Sequence, residues 1–331
     1  MKLSIVTVNY KSWGHLEAAL AALGSDSGSD FPDNWEMIVV DNESNPQEFG
    51  EFAARFPWAT FVANPGNSGF GYGCNIGVAK ASGEQLLFMN PDVIAKPEEI
   101  QKLMDIKEQH DIGIVAPRQI SAAGKAQKVF DDFPNLLNQS KTLKALMRIV
   151  LPSTFRDPRA EFSELTYCDW VTGSVLLIDR EDFDAIGGWS EDYWMYVEDA
   201  DLCRKAHDCG LSVAYAPQVE VIHAHGGSSR VNVAVKSMTK LEVIISKHVY
   251  TSRHVRGIAR WLTHTLIILL RMPALVIAGV LDLVTLRQIA TLRVRSRMLL
   301  GLLRYYGSVI RAGSWLSPRA LANQSSADAG I

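Results

Sequence analysis

The feature that most constrains this 331-residue chain is an alternation in its first half. Short β-branched apolar runs at Leu3–Val8, Met37–Val40, Thr60–Val62, Gln85–Met89 and Ile112–Ala116 are separated by helical stretches. The helices read over Ser12–Leu23, Gln47–Phe56, Gly69–Ala81 and Pro97–Gln109, the last opened by Pro97 with Glu98 and Glu99 at the positive end of the helix dipole. Continuously apolar strands alternating with helices predict an α/β domain with a mainly parallel, Rossmann-like sheet covered on both faces. Ligands of such sheets bind beyond the carboxyl ends of the strands. Asp41, Asn64 and Asn90–Asp92 each follow a strand run, which places them on one rim.

The second half is less regular. Asp131–Tyr167, with Pro134, Pro152 and Pro158, reads as an insertion or acceptor-side loop. A strand is expected over Trp170–Ile178, short helices over Arg180–Ile186 and Glu198–Cys209, and short strands over Leu211–Ala216 and Val219–His223. Beyond these, helical patterns run to about Arg311, and residues 323–331 read as a flexible tail.

Charge divides the chain more sharply than its net −3 suggests. From Lys247 onward twelve basic residues face only Asp282 and Asp328, a net of +10, which leaves residues 1–246 at −13. A basic tail on an acidic body calls for an anionic partner. Arg271 and Asp282 interrupt the apolar run around Trp261–Leu281, so the expected assembly is amphipathic and interfacial, peripheral or re-entrant, against an anionic membrane. No nucleic-acid-binding motif accompanies the charge, and no nucleic acid is expected. The expected organisation is a catalytic domain over 1–246, a basic membrane-associating helical region over 247–322, and the tail. Cys74, Cys168, Cys203 and Cys209 show neither C-x-x-C pairing nor zinc spacing, which suits free thiols in a reducing compartment. Leu3–Val8 lacks the length and cleavage site of a signal peptide, so chemistry is expected on the cytoplasmic face of the plasma membrane.

Several segments carry chemistry. Asp41, taken alone, reads as a turn or helix-cap residue before Asn42. Asn64–Gly77 holds five glycines, able to cradle phosphate at a helix start or to make a plain tight turn. His223, ending a strand run, is either structural or a ligand, and His225 lies two residues further on. Glu198, Asp199 and Asp201 sit beside Trp189, Tyr193, Trp194, Met195 and Tyr196. Large apolar neighbours desolvate a carboxylate and raise its basicity toward what a general base needs.

Together, Ile5-Val-Thr-Val-Asn-Tyr10 with Val39-Val-Asp41, Asn64–Phe70 through Asn75, Met89-Asn-Pro-Asp92, and Trp170–Gly173 through Gly187-Gly-Trp189, Tyr196–Asp199 and Val221–His223 resemble family 2 glycosyltransferases of the GT-A fold, in particular their rhamnosyltransferase-like branch. The resemblance covers about residues 1–230. It implies inverting sugar transfer from a dTDP- or UDP-sugar, in this branch dTDP-rhamnose, to a lipid-linked or saccharide acceptor in surface polysaccharide synthesis. It further implies nucleotide binding by Thr7, Asn9, Tyr10, Asp41, Asn67, Gly69, Phe70 and Asn75, and a divalent cation, Mg²⁺ or Mn²⁺, on Asp92 and His223. Asp199 becomes the general base, with Glu198 and Trp189 on the acceptor side and Asp201 structural. Asn90 stands where the usual D-x-D motif has its first aspartate, removing one charge from the metal site. Two other classes stay open at this level: a catalytically inactive membrane scaffold that retains nucleotide binding, and a nicotinamide-dependent oxidoreductase. The glycine loop follows the third strand rather than the first, which disfavours the latter.

Overall fold

A computed structural model describes residues 1–43, 45–139, 141–150, 157, 162–224 and 232–320. His225 and the tail expected over 323–331 lie outside the described residues. The chain begins β1 (Leu3–Asn9), α1 (Trp13–Gly24), β2 (Trp35–Asn42), α2 (Pro46–Arg55), β3 (Ala59–Asn64), α3 (Phe70–Val78), β4 (Gln85–Met89), β5 (Val93–Ile94) and α4 (Pro97–Gln109). It continues β6 (Ile114–Ile120), β7 (Phe130–Asp131), α5 (Lys141–Val150), β8 (Thr166–Tyr167), β9 (Trp170–Val171), β10 (Val175–Asp179), α6 (Arg180–Ala185), α7 (Glu198–Asp208) and β11 (Val213–His223). Three long helices follow: α8 (Val233–His254), α9 (Gly257–Val284) and α10 (Ala290–Ala312). Two compact units result. The first comprises Met1–Phe133, Asp157–Ser190 and Glu198–Ser228, the second Pro134–Arg156, Glu191–Val197 and Ser229–Ile331.

The first unit is built on a nine-stranded sheet ordered β3-β2-β1-β4-β10-β6-β11-β5, with β8 paired to β11. Every residue of β1 is buried, because alternate side chains enter different cores. Leu3 and Ile5 join one cluster with α1 and α4 residues such as Leu16, Leu20 and Leu103, while Val6 and Val8 join another with Cys74, Phe183, Trp189 and Leu202. This two-sided burial is why the strands read as unbroken apolar runs.

The sheet is mixed rather than mainly parallel. Strands β1 to β4 pair in parallel, and β6 pairs in parallel with β11, but β10 runs antiparallel between β4 and β6. An antiparallel strand brings its beginning, not its end, to the carboxyl rim of its neighbours, and Gly173 and Ser174 arrive there. The single strand expected over Trp170–Ile178 breaks at this point: β9 pairs with β7 in a separate ribbon, and β10 enters the main sheet. The two strands expected over Leu211–His223 are one, its register shifting between Ala216 and Glu220 around Pro217, which cannot donate to the ladder.

The second unit packs α8, α9 and α10 against one another. It also holds α5, a helix within the stretch expected to be irregular. Its core is polar as well as apolar: His248 Nδ1 lies 2.8 Å from His264 Nδ1, and the Trp315 ring stacks on His264 at 3.9 Å. Burial, reinforced by the charges of His264 and Lys247, pushes the His248 imidazole down to about 3, so it stays neutral. The position after residue 246, where the expected catalytic domain ends, falls inside α8. Helix α9 continues through Arg271 and Pro273, giving one helix long and apolar enough to cross a membrane. Only 22% of its most apolar 18-residue stretch is buried.

Candidate active site

The rim of the first unit gathers most of the expected residues. Asn9 and Asp41 stand opposite each other at the ends of β1 and β2, and the Asn9 amide donates to Asp41 Oδ1 at 2.9 Å. Both are buried, with half-buried Tyr10 next in the chain. Beside them Asn64 Nδ2 donates to Asn42 Oδ1 at 2.8 Å, and Asn42 Nδ2 to the Gly69 carbonyl at 3.1 Å. This relay ties the glycine loop, half-buried Asn67 included, to the sheet end. Gly69 has φ +111°, a conformation only glycine adopts readily, and α3 begins immediately after it with no side chain capping its first turn. A helix start of this kind presents N–H groups to an anion. The other glycines divide the work: a Cβ on Gly77 would come within 2.4 Å of Val6 Cγ1, so that glycine seats α3 on the sheet.

Further along the rim, at the ends of β4 and β11, Asp92 Oδ1 and His223 Nε2 face each other at 3.2 Å. The other ring nitrogen of His223 lies 2.7 Å from Gln119 Oε1, which also accepts from Ser174 Oγ at 2.9 Å. That network assigns the proton to Nδ1 and turns Nε2 toward Asp92. Burial pushes the Asp92 carboxyl up, but the hydrogen bond and charge of His223 outweigh it and hold the carboxyl below its ordinary range. The pair can close around a proton on Nε2 or around a divalent cation, for which one carboxylate oxygen and one imidazole nitrogen are a suitable donor set. Among the described residues no group of three or more His, Cys, Asp or Glu side chains converges on a metal-sized site. A cation here would thus take its remaining ligands from outside these side chains.

Asp199 lies in the first turn of α7. Its carboxylate accepts from the Ala200 N–H at 2.9 Å and from the Gly173 N–H at 3.3 Å. Desolvation raises its basicity above the ordinary aspartate range; the two N–H groups and the charge of Lys128 offset only part of that rise. A Cβ on Gly173 would approach Trp189, Phe70 and Asp199 at 3.1 to 3.5 Å, so a side chain here would press on the Trp189 ring. Glu198, expected on the acceptor side, is buried.

Three expected residues work from beneath the rim rather than on it. Thr7 is 1% exposed and donates to the Met89 carbonyl at 2.8 Å, tying β1 to β4. Asn75 clasps the Trp189 backbone with both ends of its amide, at 3.0 and 3.1 Å. Trp189 is 2% exposed and packs edge-on against Phe70 and Phe88, so its ring is floor rather than acceptor surface. Sequence reasoning in turn missed Gln119, Ser174, Asn42 and Gln127, whose amide donates to the His223 carbonyl at 2.7 Å. None left a local signal: Gln119 follows Pro117 and Arg118, beyond the apolar run that ends at Ala116.

Comparison with known proteins bears on the kind of enzyme. Residues 4–153 match the family described as Glycosyl transferase family 2, and residues 161–225 the one described as N-terminal domain of galactosyltransferase. Residues 4–153 form a family 2 glycosyltransferase domain, and the chain is a glycosyltransferase. It is 28% identical over 238 residues to the N-acetylglucosaminyl-diphospho-decaprenol L-rhamnosyltransferase of Mycobacterium tuberculosis, covering 67% of this chain and 75% of that one. It is 24% identical over 228 residues to the rhamnosyltransferase WbbL of Escherichia coli, covering 66% and 82%. The mannosyltransferase PcManGT from Pyrobaculum calidifontis superposes with a TM-score of 0.51 at 16% identity, over 89% of this chain and 85% of that one, and shares its GT-A-like fold. The glycosyltransferase match sets aside the nicotinamide alternative: the glycine loop follows β3, not β1.

Proposed function

We propose that this glycosyltransferase moves a hexose, rhamnose from dTDP-rhamnose, onto a lipid-linked saccharide acceptor with inversion at the anomeric carbon. The observation that carries the reading is the convergence on one sheet rim of Asp41, the start of α3, the Asp92–His223 pair and the desolvated Asp199. Asp41, with Asn9 and Tyr10 beside it, would accept from the base, which belongs to a dTDP- or UDP-sugar. The first turn of α3 would receive the diphosphate. Asp92 and His223 would hold Mg²⁺ or Mn²⁺, which supplies charge neutralisation for the leaving diphosphate. Asp199 takes the proton of the acceptor hydroxyl as its oxygen bonds to the anomeric carbon, while the bond from that carbon to the diphosphate breaks. One base and one displacement give inversion. Proton NMR of the product is expected to show the anomeric configuration opposite to the donor's, and retained configuration would contradict the single displacement.

The lipid-linked acceptor is supported by the name of the mycobacterial relative and by the character of the second unit. Trp261, Leu269, Ile277, Val280 and Val284 on α9 and Leu300, Leu303 and Ile310 on α10 are exposed, on helices that carry seven arginines, Arg260 to Arg311. Each basic side chain near an anionic bilayer contributes roughly 1 kcal/mol, and the apolar side chains add an unscreened hydrophobic term. The working surface would be the cytoplasmic leaflet. The full chain is expected to co-sediment with vesicles containing anionic lipid and to be released only in part by high salt. Recovery of the chain in the supernatant at low salt would contradict membrane docking.

A further inference from the structure

Helix α5 is ten residues long, a length that is marginal in water without packing to hold it. It nevertheless turns apolar side chains outward: Leu146 is 51% exposed, Ile149 78% and Val150 60%, and Ala145 beside them is exposed as well. Positions 142, 145, 146 and 149 follow the i, i+3, i+4, i+7 spacing that shares one helix face, and the four residues there carry no charge. The charges of the segment fall at other positions. Between Pro134 and Val150 the chain has Lys141, Lys144 and Arg148, spaced three and four apart, and no aspartate or glutamate.

This helix belongs to the same unit as α8, α9 and α10. A 3-10 turn at Leu136–Asn138, just ahead of α5, packs on both α5 and α9. The turn is fixed by its own side chains. Asn135 Oδ1 accepts from the Leu137 N–H at 2.8 Å, Asn138 Oδ1 accepts from the Asn135 N–H at 2.9 Å, and Gln139 Nε2 donates to the Asn135 carbonyl at 2.6 Å. Through it α5 is tied to the helix that exposes Trp261, Leu269 and Ile277. An uncharged apolar face on a helix that carries cations and no acids complements an anionic lipid surface: the face enters the headgroup boundary and the cations meet phosphates. A second copy of α5 docked on the first would instead set like charges against each other.

We infer that α5 is a further membrane-docking element of the helical unit, its Ala145, Leu146 and Ile149 face entering the headgroup region of an anionic bilayer while the cations of the segment take lipid phosphates. The inference rests on the docking of that unit through α9 and α10. It assigns a partner to the stretch that sequence reasoning left as an insertion. It also accounts for a short helix with a bare apolar side, because the headgroup boundary buries that side and supplies the packing that water does not.

The test uses the full chain and vesicles of mixed phosphatidylglycerol and phosphatidylcholine. Leu146→Gln/Ile149→Gln is expected to lower the partition coefficient about tenfold to 100-fold at low and high salt alike, since the apolar contribution is unscreened. Lys141→Gln/Lys144→Gln/Arg148→Gln should lower it by a similar factor at low salt and little at high salt. A polarity-sensitive fluorophore on Ile149→Cys, with Cys209→Ser removing the exposed native thiol, should shift to the blue when vesicles are added. The fluorophore decides even if the multiple variants fold poorly: an unshifted spectrum on vesicles that sediment the chain overturns the inference. Parental partitioning of both multiple variants overturns it as well. Lost self-association in Leu146→Gln/Ile149→Gln, with partitioning unchanged, would assign the face to a second copy and overturn it too. Val280→Gln/Leu283→Gln on α9, run in parallel, separates the two levels. If the parent chain stays in the supernatant, the docking of the unit has failed. If the parent sediments, and the α9 variant loses binding while the α5 variants keep it, only the role of α5 has failed.

Discussion

Replacing Asp199 by Asn is expected to lower kcat by about 10²–10⁴-fold while leaving donor affinity and the fold in place. The amide keeps the volume, but its single oxygen can accept from only one of the Gly173 and Ala200 N–H groups, and it cannot take a proton from the acceptor. The sign of the pH effect follows from the raised carboxyl. Below its folded pKa Asp199 is protonated and is no base, so the acid limb of the wild-type rate profile should lie above the ordinary aspartate range. The same shift predicts the stability of the variant. A carboxyl whose folded pKa is raised is fully stabilising only below its unfolded pKa, and stability falls as pH rises through the folded pKa. At neutral pH the ionised side chain thus carries a cost that Asn removes, set against the one N–H bond that Asn gives up, and the Tm of Asp199→Asn should stay close to that of the parent. Lost turnover with a Tm close to the parent's separates a missing base from a damaged fold.

Asp92→Ala is expected to abolish the cation-dependent part of nucleotide binding, seen by calorimetry with a nucleoside diphosphate in the presence and absence of Mn²⁺. With Asn90 uncharged, Asp92 supplies the one carboxylate of the Asp92–His223 pair, and among the described residues no third acidic, histidine or cysteine side chain joins it. His223→Ala should weaken cation affinity by about 10–100-fold, and Gln119→Ala by a smaller factor, because Gln119 orients the imidazole without touching the cation. Chelation should inhibit the parent. Undiminished transfer after exhaustive chelation would show that the diphosphate is neutralised by other means and that the Asp92–His223 pair is a plain ion pair.

The strands and helices of the first half were legible because two-sided burial writes itself into the chain as unbroken apolar runs, and Pro97–Gln109 and Gln85–Met89 were placed to the residue. Direction was not legible. Val175–Asp179 has the composition of any buried strand, and nothing local records that it enters the sheet antiparallel; that follows from where Gly173 breaks the chain. Helix α5 was hidden between prolines, in a stretch whose helical period covers only ten residues. At the site, the residue types that meet the rim were visible, but those that hold them were not. Asn75 and Trp189 carry the look of ligand-binding residues, yet they are joined through a backbone contact 114 positions apart, which no local pattern can announce. Gln119 meets His223 across 104 positions for the same reason. Arg271 and Asp282 read as interruptions because they break an apolar run, although one long helix, α9, packed on its neighbours, takes in both.

The most direct test is the release of nucleoside diphosphate from a panel of nucleotide sugars, assayed with the full chain, Mn²⁺ and a polyprenyl-diphosphate-linked saccharide in anionic vesicles. The account predicts acceptor-dependent release with dTDP-rhamnose, abolished in Asp199→Asn and by chelator. Release that does not require the acceptor, or that persists in Asp199→Asn at the wild-type rate, would contradict it.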